Sequence, residues 1–195
     1  MTRLWCIRHG QTIWNLEERY NGLSDIPLNP VGMEKAEALS KQLAGNGVVY
    51  QAVYSSHLQR ARQTVAIINK RQDLPAFVDE RLREIELGAW EGRTFREIDL
   101  EYPQEIAERT SNAAVTRAPG GESALEVAQR MAAAANEIVR SYPEGDVLVV
   151  AHGVSLAALI LTAQGLSMAG VYHSLPGHLE PVTVEWDLSR EIVEG

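Results

Sequence analysis

The chain has 195 residues, of which 45% are hydrophobic, so it is long enough for one domain with a full core. Its formal net charge of −8 argues against nucleic acid or an acidic membrane surface as a general partner, because both require a basic face. Cys6 is the single cysteine, which rules out an internal disulfide and favours a reducing, cytoplasmic location.

The first part of the chain predicts a strand, a loop and a helix in that order. Residues 4–7 form an apolar run with strand character, too short for a signal peptide or a membrane span. A polar loop is expected over residues 11–28. Asn29 and Pro30 then have the residue types of a helix N-cap and a first helical position. The apolar spacing that follows is helical, and Gly45 is the expected stop.

Later segments repeat the alternation of strands and helices. Strands are expected at residues 48–55, 147–151 and 182–186. A helix is expected after the first of these, two more begin at the capping boxes Thr94–Glu97 and Ser123–Glu126, and an apolar helix covers 154–162. Residues 79–118 are more charged and less regular, which is typical of an insertion.

This alternation predicts an α/β fold. Strands that alternate with helices form a mostly parallel sheet with helices on both faces, that is, a three-layer α/β/α sandwich. We expect a single domain over residues 1–195, with residues 79–118 as a small lid over the carboxyl ends of the strands.

Two of the predicted strands end on a histidine followed by a glycine. His9 and Gly10 follow Arg8 at the end of the first strand, and His152 and Gly153 follow a later one. Ligands of open α/β sheets bind outside the carboxyl ends of the strands. If the two strands are neighbours, the imidazoles face each other across one pocket, where Arg8 is suited to bind phosphate or carboxylate.

A second arginine points to the same pocket. Arg60 falls in the first turn of the helix that follows strand 48–55. The positive end of the helix dipole opposes a cation there, and a bound anion would compensate both. Arg8, Arg60, two histidines and free backbone N–H groups are therefore expected to converge, and a phosphoryl group is the simplest ligand.

Simpler structural interpretations remain for the individual residues. A histidine at a strand end, such as His152, is more often a satisfied structural residue, and an arginine in a first turn is usually solvated or paired. The five histidines lack the spacing of metal ligands, so no metal site is expected. Ser155 lacks the sequence of a nucleophile elbow. The roles of His173 and His178 stay open.

Five motifs in chain order resemble those of the histidine phosphatase superfamily, in the branch shared by cofactor-dependent phosphoglycerate mutases and related phosphatases. They are RHGQTIWN at 8–15, SSHLQRARQT at 55–64, LREIELGAWEG at 82–92, PGGES at 119–123 and AHG at 151–153. The resemblance covers most of the chain. It implies an enzyme that works through a phosphohistidine and needs no metal or other cofactor.

The resemblance also implies a role for each matching residue. His9 would attack phosphorus, which a neutral imidazole can do near pH 7. Glu84 would protonate the leaving oxygen and later activate water. The phosphoryl oxygens would be held by Arg8, Asn15, Arg60, His152 and Gly153. The residues alone do not choose Glu84 over Glu86 or Glu91, and the latter two are expected to be solvated.

Departures from the mutase pattern favour a phosphatase. Mutases of this branch usually carry a tyrosine where this chain has Leu87 and a lysine where it has Phe95. The expected substrate is a small-molecule phosphate monoester, with a mutase or a non-catalytic phospholigand-binding module as alternatives. The sequence does not indicate an oligomeric state, and the resemblance makes a homodimer one option because dimers are common in the family. The candidates for the substrate pocket are Asn21, Gly22, Arg109 and Arg117.

Overall fold

The computed structural model describes residues 1–194, apart from the side chain of Thr110. Within these residues the strands are β1 (Thr2–Arg8), β2 (Tyr50–Ser55), β3 (Ala76–Val78), β4 (Gly145–Ala151) and β5 (Val182–Trp186). The α-helices are α1 (Ile13–Leu16), α2 (Pro30–Gly45), α3 (Gln59–Ile68), α4 (Phe95–Glu101), α5 (Pro103–Ser111), α6 (Ala124–Ser141) and α7 (Gly153–Gln164). Shorter 3-10 turns occupy Asn69–Arg71, Glu80–Leu82, Gly88–Trp90 and Met168–His173.

The strands of the described chain form one sheet in the order β3-β2-β4-β1-β5. The pairs β1–β4, β4–β2 and β2–β3 are parallel, and β5 runs antiparallel to β1 at one edge. The predicted α/β class with a mostly parallel sheet is therefore confirmed. The parallel strands β1, β2 and β4 end at the same edge, which is where the predicted pocket should form.

Helices bury apolar side chains on both faces of this sheet. One core contains residues of α2 and α3, and the other contains residues of α6 and α7. Helix α6 shows the helical spacing that such burial requires, with Ala124, Val127, Ala128, Met131, Ala135 and Ile138 all buried. Among residues 1–194, no helix is both long and apolar enough to span a membrane.

The predicted helix starts are confirmed by their capping bonds. The N–H of Gly32 donates to Asn29 Oδ1 at 2.7 Å, and Pro30 is the first residue of α2. Capping boxes are present at Thr94 before α4 and at Ser123 before α6. Each box satisfies N–H groups that a helix start would otherwise leave unpaired.

The segment 79–118 is built into the core next to α6 and α7. It contains two 3-10 turns, α4 and α5, and its side chains Leu82, Ile85, Trp90 and Ile98 belong to the same buried cluster as those helices. This packing brings the segment to the start of α7 and so places Glu84 beside the carboxyl ends of β1 and β4.

Candidate active site

The pairing of β1 with β4 brings the two histidines together. Arg8 lies opposite Ala151 in the parallel register, and the His9 N–H donates to the Ala151 carbonyl at 3.0 Å. The next residues, His9 and His152, have ring centroids 5.1 Å apart. Both side chains are buried. The two imidazoles therefore face one site, as the strand ends predict.

Arg60 lies between the two imidazoles. Its Nε donates to His9 Nε2 at 3.2 Å and to His152 Nδ1 at 3.1 Å. The other two guanidinium nitrogens donate to backbone carbonyls, Nη1 to Ser24 and Nη2 to Gly22, each at 2.7 Å. The side chain is fully buried in the first turn of α3. Hydrogen bonds from Nε and from both terminal nitrogens therefore fix the position of the guanidinium.

The hydrogen bonds assign the tautomers of the two neutral imidazoles. His9 Nδ1 lies 2.7 Å from the Gly10 carbonyl, which can only accept, so Nδ1 carries the hydrogen and Nε2 has the lone pair. His152 Nδ1 accepts from Arg60, so Nε2 carries its hydrogen. The site thus holds one nucleophilic nitrogen and one N–H donor.

Burial and positive charge keep the histidines neutral. Burial first, and then the Arg60 cation, hold the pKa of His9 well below its ordinary value of 6.5. The same causes lower the pKa of His152. Protonation of a buried imidazole beside a fixed cation is unfavourable for two reasons, the loss of solvation and the repulsion between like charges. The Nε2 of His9 is therefore unprotonated at pH 7 and accepts a hydrogen bond from Arg60.

Arg8 adds a second cation to the site. Its Nη1 donates to the Pro176 carbonyl at 3.1 Å. A Cβ added to Gly153 would lie 3.3 Å from the Arg8 Cζ, so the glycine gives the guanidinium its room. Burial lowers the pKa of both arginines, that of Arg60 to about 10, and both remain charged at pH 7.

Several polar atoms at this site lack a partner within the described part of the chain. They are Arg8 Nε, His152 Nε2 and both amide atoms of Asn21, all buried. Buried polar atoms are almost always hydrogen-bonded in folded proteins, so such a group of atoms needs an explanation. Donors that converge on one place, beside cations, are suited to the oxygens of an anion.

Glu84 reaches the site from the segment before α4. Its Oε1 accepts from the N–H groups of Ile85 at 2.9 Å and Ser155 at 3.0 Å, and its Oε2 accepts from Val154 at 3.1 Å. The carboxyl is thus fixed at the start of α7. Oε2 has one of these bonds and Oε1 two, so Oε2 keeps the lone pair that could carry a proton.

The helix N-termini near the site contact carboxylates of the protein itself. We expected free N–H groups there to contact the anion, and protein carboxylates accept from some of these groups. Glu84 accepts at α7, and Asp25 Oδ1 accepts from the first N–H of α3, that of Gln59, at 2.5 Å. Each carboxylate satisfies N–H groups that a helix start leaves without a partner inside the helix.

Arg8, His9, Asn15 and Glu84 line a cavity of about 130 Å³. Its lining residues are Arg8, His9, Asn15, Arg19, Tyr20, Asn21, Glu84, Ile85, Leu87, Phe95, Arg109, Val154 and Leu175. Asn15 Oδ1 accepts from the Thr12 N–H at 2.9 Å, which leaves its amide nitrogen for the cavity. The predicted residues Asn15, Asn21 and Arg109 are therefore at this site.

A second cavity, of about 280 Å³, shares a wall with the first. Tyr20, Phe95, Arg109 and Leu175 line both, and Tyr172 belongs to the second. The Arg109 guanidinium carbon lies 3.7 Å from the centroid of the Tyr172 ring. The lining of the larger cavity is mainly apolar and aromatic, and it also includes Arg109, Asp99 and His173.

Two predicted pocket residues lie elsewhere. Arg117 is exposed and pairs with Glu126 at 3.3 Å, so it does not line the cavity. Gly22 is buried beneath the site, where its carbonyl supports Arg60. The turn composition of residues 21–25 indicated a loop near the site but not which atoms it presents.

Sequence reasoning missed the contributions of His178 and Glu91. His178 Nδ1 donates to the His9 carbonyl at 2.7 Å, and burial lowers its pKa to about 4. No local pattern connects two residues so distant in the chain. The expectation that Glu91 is solvated was wrong, since its carboxylate accepts from three backbone N–H groups. Its place in the WEG motif was the available signal.

The fold is a mostly parallel α/β sheet, and two imidazoles and two arginines meet at the carboxyl ends of its strands as a candidate anion site. The family model of the histidine phosphatase superfamily (branch 1) matches residues 4–191, and the chain belongs to this family. The expectation drawn from the five motifs is thereby confirmed. The family and the related structures support an enzyme that acts on phosphate esters.

Relatives with both phosphatase and mutase names resemble this chain. The Probable phosphoglycerate mutase GpmB of Yersinia pestis (strain Pestoides F) is 32% identical over 166 residues, 85% of this chain and 76% of that protein. The structure of mycobacterial glucosyl-3-phosphoglycerate phosphatase with VO3 has a TM-score of 0.87 and 33% identity, over 96% of this chain and 94% of that one. A protein of Escherichia coli K-12 provisionally assigned as an α-ribazole-5′-P phosphatase has a TM-score of 0.82 and 26% identity, over 93% and 89%.

Proposed function

We propose that this protein is a phosphatase that hydrolyses phosphate monoesters of small metabolites through a phosphohistidine on His9. The observation that carries the proposal is the state of His9. Its Nε2 carries no hydrogen and accepts from Arg60, and His9 lines a cavity together with Arg8 and Glu84. Such positioning and charge stabilisation provide most of the catalysis in phosphoryl transfer.

The first step transfers the phosphoryl group to the enzyme. The His9 Nε2 lone pair attacks phosphorus, and the bond between phosphorus and the alcohol oxygen breaks. Glu84 donates its carboxyl proton to that oxygen, which leaves as the alcohol. We assign the phosphoryl oxygens to Arg8, Arg60, Asn15 and the His152 Nε2–H. Arg8 and Asn15 line the cavity, Arg8 Nε and His152 Nε2 lack a protein partner, and Arg60 contacts both imidazoles.

The second step hydrolyses the phosphohistidine. The Glu84 carboxylate, left without its proton, takes one from water while the water oxygen attacks phosphorus. The bond between phosphorus and Nε2 breaks, and inorganic phosphate leaves with His9 neutral again. General acid–base catalysis of this kind contributes about 10²–10⁴-fold.

The cavity lining favours water over a second substrate as the acceptor. At the two positions where mutases usually have tyrosine and lysine, Leu87 and Phe95 contribute apolar walls. We infer that the alcohol part of the substrate extends toward the neighbouring aromatic cavity of Tyr20, Arg109 and Tyr172. The phosphatase names of the structural relatives support this choice.

Replacement of the nucleophile tests the proposal. His9→Ala should abolish turnover of every phosphate ester that the wild type hydrolyses, because no other side chain can form the intermediate. Rapid quench of the wild type under alkaline conditions, followed by mass spectrometry, should find an acid-labile phosphate on the peptide that contains His9. Turnover by the folded variant, or a phosphate on another residue, would overturn the mechanism.

A mutase is the second candidate, favoured by the name of the Yersinia relative. The two functions share the phosphohistidine and differ in what accepts the phosphoryl group. A screen of phosphorylated metabolites with and without 2,3-bisphosphoglycerate separates them. A phosphatase releases inorganic phosphate without that compound, whereas a mutase interconverts phosphoglycerates and depends on it.

A further inference from the structure

The carboxylate of Glu91 holds the loop formed by Gly22, Leu23 and Ser24. Its oxygens accept from the N–H of Gly22 at 3.0 and 3.1 Å, from Leu23 at 3.3 Å and from Ser24 at 3.1 Å. Three consecutive N–H groups aimed at one carboxylate form charge-assisted bonds, which are stronger than bonds between neutral groups. The loop is thereby fixed to the segment that follows Glu84.

The same loop holds Arg60 from its other side. The carbonyls of Gly22 and Ser24 accept from the two terminal guanidinium nitrogens at 2.7 Å each, and Nε then contacts both imidazoles. A continuous set of hydrogen bonds therefore runs from Glu91 through the loop backbone to Arg60 and on to His9 and His152.

The local geometry leaves little room for another arrangement. A Cβ on Gly22 would lie 2.6 Å from Glu91 Oε2 and 2.6 Å from the Ile85 carbonyl, so the backbone approaches both closely. Glu91 also acts on Arg60 through its charge, because its carboxylate opposes the burial that lowers the pKa of that arginine.

We propose that Glu91 is a positioning residue that sets the orientation of Arg60 at the reacting phosphoryl group. This inference rests on the proposed function, in which Arg60 binds the phosphoryl oxygens. Glu91 lines neither cavity near the histidines and acts only through the loop.

Glu91→Gln is the informative variant. Glutamine keeps the shape and one acceptor oxygen. Its NH₂ group, however, cannot accept hydrogen bonds from the backbone N–H groups that it would face. The loop should shift and Arg60 with it. A misplacement of about 1 Å can cost about 10²-fold in rate, so we expect kcat/KM to fall by about that factor. Tungstate should bind more weakly, since it also needs Arg60.

The pH profile separates positioning from simple support of the fold. His9 is surrounded by Arg60 from α3, Arg8 from β1, His178 from the loop before β5, His152 at the start of α7 and Glu84 across the cavity. Burial and Arg60 are the main causes of its low pKa. If Arg60 moves away, the pKa of His9 rises, and the acidic limb of kcat/KM should move to higher pH.

Glu86→Gln is the matched control, because Glu86 is an exposed carboxylate in the same segment and loses the same charge. It should leave kcat/KM, the acidic limb and the affinity for tungstate unchanged. If Glu91→Gln matched this control in kcat/KM, in the acidic limb and in the affinity for tungstate, the inference would be overturned. A loss of thermal stability with no change in the acidic limb or in the tungstate affinity of the folded protein would also overturn it.

Calorimetric titration with tungstate keeps the two proposals apart, because it does not need turnover. If the wild type hydrolyses no ester, the proposed function fails. Weaker tungstate binding by Glu91→Gln than by Glu86→Gln would still support the positioning of Arg60. Equal binding would reject it.

Discussion

The residues of the site act through their protonation states. His9 has its hydrogen on Nδ1 because the Gly10 carbonyl accepts it, and this leaves Nε2 unprotonated, as the proposed nucleophile must be. His152 has the opposite tautomer because Arg60 donates to its Nδ1. One arginine thus contacts the lone pair of each imidazole, and its charge also helps to keep both neutral.

Glu84→Gln tests the acid at the residue scale. Glutamine can still accept from backbone N–H groups through one oxygen, but it cannot donate a carboxyl proton. We expect activity on alkyl phosphates to fall by about 10²–10⁴-fold. Activity on p-nitrophenyl phosphate should fall much less in the first step, because p-nitrophenolate leaves without a proton.

Single-turnover measurements with the two substrates isolate that first step. Equal losses on both would show that Glu84 is not the acid, and Glu91 is not among the cavity-lining residues that could replace it. The control is again Glu86→Gln, which should not change the ratio of the two rates.

At the scale of elements, strand pairing and helix starts set the geometry. The register places Arg8 opposite Ala151. It therefore brings His9, which follows β1, and His152, which follows β4, to the same level. Helix α7 begins directly at Gly153, and its first N–H groups hold the acid residue. The sheet therefore positions His9, the proposed nucleophile, and the helix positions Glu84, the proposed acid.

Ser123→Ala tests the capping of α6, the longest helix of the described chain. The Glu126 N–H donates to Ser123 Oγ at 3.3 Å, and the Glu126 carboxylate accepts from the Ser123 N–H at 2.8 Å. Loss of the hydroxyl should lower the free energy of unfolding by about 1 kcal/mol. Gln129→Ala, on the exposed face of the same helix, should change it by less than about 0.5 kcal/mol. Urea unfolding measures both, and equal effects would contradict the capping role.

At the scale of the whole molecule, buried neutral histidines make stability depend on pH. The folded state keeps His178 neutral down to about pH 4, because burial and Arg8 lower its pKa, whereas the unfolded chain protonates it near 6.5. Between these values the unfolded state binds more protons, so stability falls as the pH falls. His9 and His152, with pKa values lowered in the same direction, add to this effect.

His178→Gln should therefore make stability less sensitive to acid. One proton taken up on unfolding contributes at most about 1.4 kcal/mol per pH unit, and the variant should lose up to that slope between pH 6.5 and 4. Denaturant unfolding at a series of pH values measures the slope. His173→Gln, at an exposed position of the neighbouring turn, is the control and should keep the wild-type slope. An unchanged slope in His178→Gln would contradict the prediction.

Local patterns predicted the elements because their causes are local. The N-cap at Asn29 and the boxes at Thr94 and Ser123 depend on residues within one helical turn. The boundaries shifted by a few residues, as at β2, which starts at Tyr50 instead of residue 48. The helix that follows β4 is longer than expected and ends at Gly165, whose positive φ of 67° suits glycine.

Contacts between distant segments could not be predicted in this way. Arg117 has the same charge as Arg109, but only the fold shows that one pairs with Glu126 on the surface and the other stacks on Tyr172. Likewise, nothing in the turn residues around Gly22 indicated that they would hold Arg60 through their carbonyls.

The sequence by itself determined the α/β class and the family, and it indicated most of the residues that meet at the candidate site. Those properties depend on periodicity and on motifs, whose residues lie close together in the sequence. The tertiary structure decided which nitrogen of His9 is free, which N–H groups hold Glu84 and that Glu91 supports Arg60. Hydrogen bonds of this kind join segments far apart in the chain, so their geometry exists only once the sheet and both cores have formed.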